Sequence, residues 1–335
     1  MSVGIQSRRI SAVVGALVAD AAAQPIHWNY KVDKLDDMLK DADDVAFWEP
    51  SSNPFYKLPT GSQSCYGDQS FVILKSLVEN KGLDISQLNK LTYDWFGPNS
   101  GYENPTNALY KEKKDAEQKT IFPIDGPWRH FSIKDFLRNV VEGKDETGSE
   151  TDKQIDCCLR IVPVVSLFAG QPDMLDKAEL VIRSTQNSDT CVAIGLAAAR
   201  LLEFYILNGA LPDAVESVIK DLSNPKRVNP QDLDVAVIGF LREVTRVKDK
   251  PHIQILPGSF QSAVHGVVSS TDYQTGVQAT LRAGGCNASR AGFIGACLAA
   301  QHGLSSIPDT WKQKTTKYQE IVKLAEQLVE FNSVL

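Results

Sequence analysis

The sequence predicts an all-α protein, and three features of its 335 residues lead to this prediction. Apolar residues recur at helical spacing along most of the chain, whereas the alternation of apolar and polar residues that marks a half-buried strand is nearly absent. Short runs of Gly, Asn and Pro separate the helical segments. The length and the 43% hydrophobic content allow a substantial core, in one large domain or in two.

The first predicted helix covers residues 7–24, and Pro25 ends it. Its arginine pair followed by a run of small apolar residues imitates a secretory signal. Asp20 argues against that interpretation, because a carboxylate is unfavourable near the end of such a run but is tolerated where a core helix meets a polar pocket. We therefore expect a buried helix of a cytoplasmic protein. We find no apolar run of the roughly 18 residues that a membrane span requires.

Helical periodicity continues along the rest of the chain, with irregular stretches between the helices. The further predicted helices are 32–41, 71–78, 85–95, 107–118, 134–142, 154–168, 174–184, 190–207, 212–222, 232–247, 260–269, 273–282 and 318–331. Residues 193–202 are apolar on nearly all sides, which is typical of a central helix. Residues 43–64, 97–106 and 121–130 are predicted loops, residues 251–257 are predicted to be extended, and residues 143–151 form the best candidate for a mobile surface loop.

A glycine pair, Gly284-Gly285, separates helix 273–282 from a second small and apolar helix that follows. Glycine enters left-handed backbone conformations without a Cβ clash, so this pair ends the first helix. Asn287 or Ser289 can then cap the free N–H groups of the next helix. Gly292 and Gly295 within that helix allow neighbouring backbones to approach closely, which predicts a core position.

Two other short segments contain candidate functional side chains. Asp68 lies where helix 71–78 begins, and for an isolated Asp in this position we favour an N-cap role. His27-Trp28 follows the end of the first helix directly, and an aromatic pair in such a position is more often a packing element than a ligand site.

Charge and cysteine content exclude several classes of function. The net charge is −6 and no basic patch is present, so nucleic acid is not an expected partner. The six cysteines show neither Cys-x-x-Cys pairs nor a spacing shared with histidines, which argues against a zinc site. We expect buried free thiols in a reducing compartment at positions 65, 157, 158, 191, 286 and 297.

Several blocks of this sequence, in the same order, resemble the ADP-ribosylglycohydrolase family, and within it the J-type crystallins of the jellyfish eye lens. The block from Gly15 to Pro25 is similar to the family's first-helix motif Gly-x-x-x-Gly-Asp-Ala-Leu-Gly-x-Pro. The other blocks are Tyr66-Gly-Asp-Gln-Ser70, Arg160-Ile-Val-Pro163, Ala283-Gly-Gly-Cys-Asn-Ala-Ser289, and Ile307-Pro308 with Trp311. The matches extend over roughly residues 10 to 312.

In active members this resemblance implies a single all-α domain, here residues 1–335, that holds two magnesium ions between two helix N-termini. The ligands come from Thr-Asp-Asp and Asp-x-Asp-Thr motifs. Transferred to this sequence, they fall on Gly67, Asp68, Gln69, Cys286, Ala288 and Ser289. One carboxylate remains of four, and magnesium needs oxygen ligands that include carboxylates, so we expect neither magnesium nor another cofactor. Asp20 of the first-helix motif is retained as a possible pocket residue.

Three functions are compatible with this resemblance. The one we favour is a non-catalytic structural protein of the lens, located in the cytoplasm of lens cells and self-associating at high concentration. The alternatives are a binding protein that retains a weak site for an ADP-ribose-like ligand, and a hydrolase of unusual mechanism that uses Asp68 as a base or Cys286 as a nucleophile. For the hydrolase, His265 or His302 would have to approach Cys286 in the fold. We expect no membrane partner.

Overall fold

The computed structural model of the protein describes residues 3–104, 107–108, 121–244 and 256–332. Most of the predicted helix 107–118 lies outside these ranges, as do the end of the predicted helix 232–247 and most of the predicted extended segment 251–257.

The described residues form a helical fold with very little strand. The first part contains α1 (Ile5–Ala23), α2 (Val32–Leu39), α3 (Cys65–Glu79), α4 (Ile85–Phe96) and α5 (Phe131–Val141). The middle part contains α6 (Asp156–Arg160), α7 (Val162–Phe168), α8 (Met174–Thr185), α9 (Asp189–Asn208), α10 (Ala214–Leu222) and α11 (Asp234–Val244). The last part contains α12 (Gly258–Ser269), α13 (Tyr273–Arg282), α14 (Asn287–His302), α15 (Asp309–Lys314) and α16 (Tyr318–Asn332). The all-α prediction is confirmed.

Helices α1, α9 and α14 lie at the centre of the fold. Among the described helices, α1 and α14 share the most extensive contact, and 14 of the 19 residues of α1 and 14 of the 16 residues of α14 are buried. Gly295 of α14 lies against Gly15 of α1, as the predicted close approach requires. The apolar segment 193–202 is buried within α9, which confirms its central position.

Two helical segments are nevertheless long and apolar enough to cross a membrane, so the sequence-based statement on apolar runs was wrong. They are Ile5–Ile26 and Asp189–Asn208, with mean hydropathies of 1.2 and 1.7. In the fold, 94% and 78% of their apolar windows are buried inside the protein. Burial by other protein segments explains this composition, because a helix at the centre of a large core is apolar on all sides.

Two details differ from the sequence-based prediction, and a third is not tested. The predicted helix 154–168 is divided into α6 and α7 at Ile161, two residues before Pro163, which has no N–H to donate and restricts the residue before it. Two short strands, β1 (Tyr56–Lys57) and β2 (Ile124–Asp125), pair in parallel inside predicted loops. In the predicted mobile loop 143–151, Gly148 and Ser149 are buried, and its mobility stays a prediction.

The glycine pair between α13 and α14 has the predicted conformation, with φ of +66° at Gly284 and +65° at Gly285. The capping prediction for α14 was wrong, because Cys286 occupies the N-cap position and no side chain caps the helix. The Asn287 amide instead donates to the carbonyl oxygens of Ile26 and Leu281, both at 3.4 Å.

Candidate functional site

The fold brings the beginnings of α3 and α14 together, as the sequence predicts. The Tyr66 hydroxyl, in the first turn of α3, lies 3.1 Å from the sulfur of Cys286 at the start of α14. Both side chains are buried. The two predicted parts of the site therefore lie in one region, and the protein's own side chains are in contact there.

Asp20 anchors the start of α3. Its carboxyl oxygens accept hydrogen bonds from the Ser64 backbone N–H at 2.8 Å and from the Ser64 hydroxyl at 2.5 Å. Complete burial raises the pKa of Asp20 to about 7, although the bonds from Ser64 act in the opposite direction. Ser64 in turn accepts from the backbone N–H groups of Tyr66 and Gly67, so Ser64 is the N-cap of α3. The prediction that Asp68 caps this helix was wrong.

Gly67 leaves no room for a side chain. A Cβ atom built on Gly67 would overlap the Asp20 carboxyl group and would lie 2.5 Å from Oε1 of Gln63. Both neighbours are buried. A hydroxyl-bearing side chain, which the family motif has at this position, thus has no space here unless Asp20 moves.

Asp68 lies in the first turn of α3, and both of its carboxyl oxygens have partners. The Tyr102 hydroxyl donates to Oδ2 at 2.7 Å. The ammonium of Lys317, the residue directly before α16, donates to Oδ1 at 3.2 Å. The ammonium also lies 4.6 Å from the ring centre of Phe71 and 4.7 Å from that of Trp95. Burial raises the pKa of Asp68, while Lys317 and Tyr102 oppose this shift. A protein cation therefore already contacts this carboxylate.

Gln69 belongs to a buried network that the sequence did not predict. Its amide donates at 3.1 Å to Oδ2 of Asp156, which also lies 2.9 Å from Nδ1 of His130 and accepts from Ser132 at 3.1 Å. Burial disfavours a charged His130, but Asp156, with smaller contributions from Asp152 and Gln154, outweighs burial and raises the pKa of His130 to about 9. The His130 charge likewise lowers the pKa of Asp156 against the effect of burial. The pair is thus a buried ion pair.

Asp152 completes the one group of potential metal ligands found within the described ranges. The ligand atoms of His130, Asp152 and Asp156 all lie within 4.8 Å of one another, and all three residues are buried. Asp152 accepts from the Gln186 amide at 2.8 Å, and burial raises the pKa of Asp152 to about 6. A metal needs His130 in its neutral form, so a metal would have to displace the proton that Asp156 stabilises.

Cys286 contacts hydroxyl and imidazole groups. Its sulfur lies 3.1 Å from the Tyr66 hydroxyl, 3.5 Å from Nε2 of His27 and 3.6 Å from the Ser289 hydroxyl. Burial raises the pKa of Cys286 and lowers the pKa of His27 well below its ordinary value, so both are neutral at neutral pH. This environment does not produce the thiolate that a cysteine nucleophile requires.

The histidine beside Cys286 is His27, which the sequence assigned to packing. That assignment holds in part, since the His27 ring stacks on Trp28 with centroids 4.5 Å apart. Of the two histidines that we considered from the sequence, His302 ends α14, the helix that begins beside Cys286, and His265 lies on α12. Neither is among the hydrogen-bond partners of the Cys286 thiol within the described residues.

Taken together, the donor groups do not fit a pair of magnesium ions. The Asp68 oxygens face Lys317 and Tyr102, and the Gln69 amide nitrogen faces Asp156. Ala288 and Gly67 offer no side-chain donor, and a neutral thiol is a poor ligand for a hard cation. The Ser289 hydroxyl is buried beside that thiol.

Replacing Gly67 with alanine should lower the free energy of unfolding by about 2 kcal/mol, because the added methyl group overpacks against the Asp20 carboxyl. The measurement is denaturant unfolding of the Gly67→Ala, Asp20→Ala and double variants. We expect the double variant to be more stable than the sum of the single effects predicts, since Asp20→Ala removes the overlap. Strictly additive effects would show that the two positions do not compete for space.

Comparison with known proteins identifies the family of the chain. The family model described as ADP-ribosylglycohydrolase matches residues 1–333. Crystallin J1A of Tripedalia cystophora is 34% identical over 328 residues, which are 96% of each chain, and Crystallin J1B of the same organism is 32% identical over 326 residues, or 97% of each. A solved structure titled "ADP-ribosylglycohydrolase-related protein complex" has the same fold, with a TM-score of 0.72 at 17% identity over 98% of this chain and 99% of that one. This chain therefore belongs to the ADP-ribosylglycohydrolase family.

Proposed function

We propose that this protein is a non-catalytic structural protein of an eye lens, built on the ADP-ribosylglycohydrolase fold. Two relatives that match nearly the whole chain are named crystallins. The fold itself is intact, with the tight helix pairing and the glycine pair in place. The difference from the family motifs lies in the side chains at the first turns of α3 and α14.

The observation that carries the proposal is the state of Asp68, the one carboxylate among the six transferred ligand positions. The Lys317 ammonium and the Tyr102 hydroxyl bind its two oxygens. Magnesium binding depends on carboxylates that offset the charge of the ion and the cost of its dehydration. The Lys317 ammonium already balances the charge of the Asp68 carboxylate, so this group cannot offset the charge of a magnesium ion or the cost of its dehydration. We therefore propose that no magnesium cofactor is used.

The alternative of a hydrolase of unusual mechanism requires an activated Cys286 or Asp68. Burial raises the pKa of the Cys286 thiol, and His27 beside it is neutral, so the pair does not form a thiolate and imidazolium. Both oxygens of Asp68 accept hydrogen bonds, from Tyr102 and from Lys317, so a water molecule could reach this carboxylate as its base only if one of these contacts broke. These contacts favour the structural role over catalysis.

The remaining parts of the proposal concern the surroundings of the protein. We propose a location in the cytoplasm of lens cells, without nucleic acid or membrane partners, and self-association only at high concentration. The net charge of −6 favours solubility and disfavours nucleic acid. The two helices that are long and apolar enough to cross a membrane are mostly buried in the core, and this burial explains their apolar composition.

The direct test is turnover of ADP-ribosyl-arginine, ADP-ribosyl-serine and O-acetyl-ADP-ribose by the purified chain with magnesium, beside an active family member as positive control. We expect release of ADP-ribose at the buffer rate and no saturable heat in a magnesium titration. Release well above that rate, abolished by Asp68→Ala or Cys286→Ala, would overturn the proposal. Turnover that survives both substitutions and stays with the protein through a second purification would also contradict a non-catalytic role, whereas turnover that is lost on repurification would come from a contaminant.

A further inference from the structure

A surface cavity of about 380 Å³ lies between the start of α2 and the segment that precedes β1. This volume is within the range of pockets that hold small organic molecules. Its walls are mainly apolar and aromatic side chains, namely Trp28, Tyr30, Leu35, Met38, Pro54 and Phe55. None of these residues is among the transferred metal-ligand positions.

Two aromatic rings of the cavity lie at a right angle to each other. The Trp28 and Phe55 rings are 5.4 Å apart and nearly perpendicular, at 89°. Trp28 has a φ of +64°, and its backbone N–H donates to Gly285 at 2.8 Å while the Gly285 N–H donates to Asn29 at 2.7 Å. These bonds hold the Trp28 backbone in a conformation that bulky residues rarely adopt. Trp28 is 8% exposed and His27 stacks on its ring, so a flat aromatic ligand would pack on the partly exposed Phe55 and contact the exposed part of Trp28.

The two charged residues that line the cavity are both lysines, which favours an anionic ligand. Lys31 and Lys34 line the cavity and are exposed, and no carboxylate is among its lining residues. Neither lysine has a carboxylate within 4.0 Å in the described part of the chain. The exposed Asp33, Asp36 and Asp37 of α2 do not line the cavity, so an anionic group inside it would meet the two lysines and no carboxylate.

We propose that this cavity binds small planar aromatic anions, with the ring system against Trp28 and Phe55 and the anionic group near Lys31 and Lys34. The proposal does not depend on the lens role or on the absence of catalysis, because no residue of the cavity takes part in either argument. It assigns to this chain a ligand class of flat aromatic carboxylates or sulfonates.

The test uses two fluorescent probes of similar size on the full-length protein. One is 1-anilinonaphthalene-8-sulfonate, an aromatic anion, and the other is N-phenyl-1-naphthylamine, which has the same ring system without the charge. We expect saturable binding of the anion at one site per chain. The double variant Lys31→Gln/Lys34→Gln should weaken binding of the anion about fivefold and change binding of the neutral probe by less than about twofold.

Two controls separate this site from general effects. The variant Lys220→Gln/Lys226→Gln makes the same charge change at exposed positions far along the chain and should leave both affinities unchanged. Met38→Trp should fill the cavity and abolish binding of both probes, whereas Met38→Leu should retain it, with circular dichroism confirming the fold of each. Lack of saturable binding, or equal losses in the two lysine variants, would overturn the proposal.

Discussion

Replacing Gly295 with alanine should reduce the free energy of unfolding by about 3 kcal/mol, because the added methyl group would meet the backbone of a neighbouring helix. A Cβ atom on Gly295 would lie 2.6 Å from the carbonyl oxygen of Gly15 and 2.6 Å from Cβ of Ala19. A long side chain could rotate away from such a contact, but a backbone carbonyl inside α1 cannot. The whole of α1 would have to move away from α14, and with it the centre of the core.

Gly239→Ala is the matched control for this substitution. Gly239 also lies within a helix, is exposed, and has no atom within 4 Å of a built Cβ. Alanine favours helix over glycine, so this variant should be more stable by up to about 1 kcal/mol. Denaturant unfolding of both variants at equal protein concentration measures the difference. If Gly295→Ala were as stable as the wild type, the close approach of the two helices would not be essential to the core.

The sequence predicts this part of the fold well because its cause is local. Small residues spaced three and four positions apart on an apolar helix require a close neighbour, and Gly292 and Gly295 are found in such a position. The conformation of Gly284 and Gly285 was predictable for the same reason. Where the prediction failed, as at the division between α6 and α7, the helical periodicity continues across a proline that interrupts the backbone bonds.

The site was predictable only in part, since its contacts connect distant positions of the chain. Gly67, Gln69 and Cys286 were identified by their place in family motifs, but their partners were not. Lys317 is 249 residues from Asp68, and His27 is 259 residues from Cys286. No periodicity or motif relates such positions, and only the packing of α16 against α3 brings Lys317 to Asp68. Sequence reasoning therefore identified the positions of the family motifs and missed the groups that contact them in the fold.

The buried pair of His130 and Asp156 should make stability fall with rising pH. The pKa of His130 is raised from 6.5 to about 9 in the fold, so the folded state keeps a proton that the unfolded chain releases. Below about pH 6.5 both states are protonated and the full contribution is present. It decreases as the pH rises and is lost above about pH 9. At 1.36 kcal/mol for each pKa unit, the total is on the order of 3 kcal/mol.

The measurement is the free energy of unfolding of the wild type and of His130→Gln between about pH 6 and pH 8.5. Asp20, whose pKa is raised to about 7, and the buried cysteines also affect the pH dependence of the wild type, but they are present in both proteins. His130 lowers the pKa of both Asp152 and Asp156, so the difference between the two curves reports His130 together with the response of these two carboxyl groups. We expect this difference to shrink as the pH rises. Asp156→Asn should remove the main cause of the raised pKa, because burial by itself lowers the pKa of a histidine. A His130 imidazole that titrates at or below pH 6.5 in the wild-type NMR spectrum would contradict the ion pair and the stabilisation assigned to it.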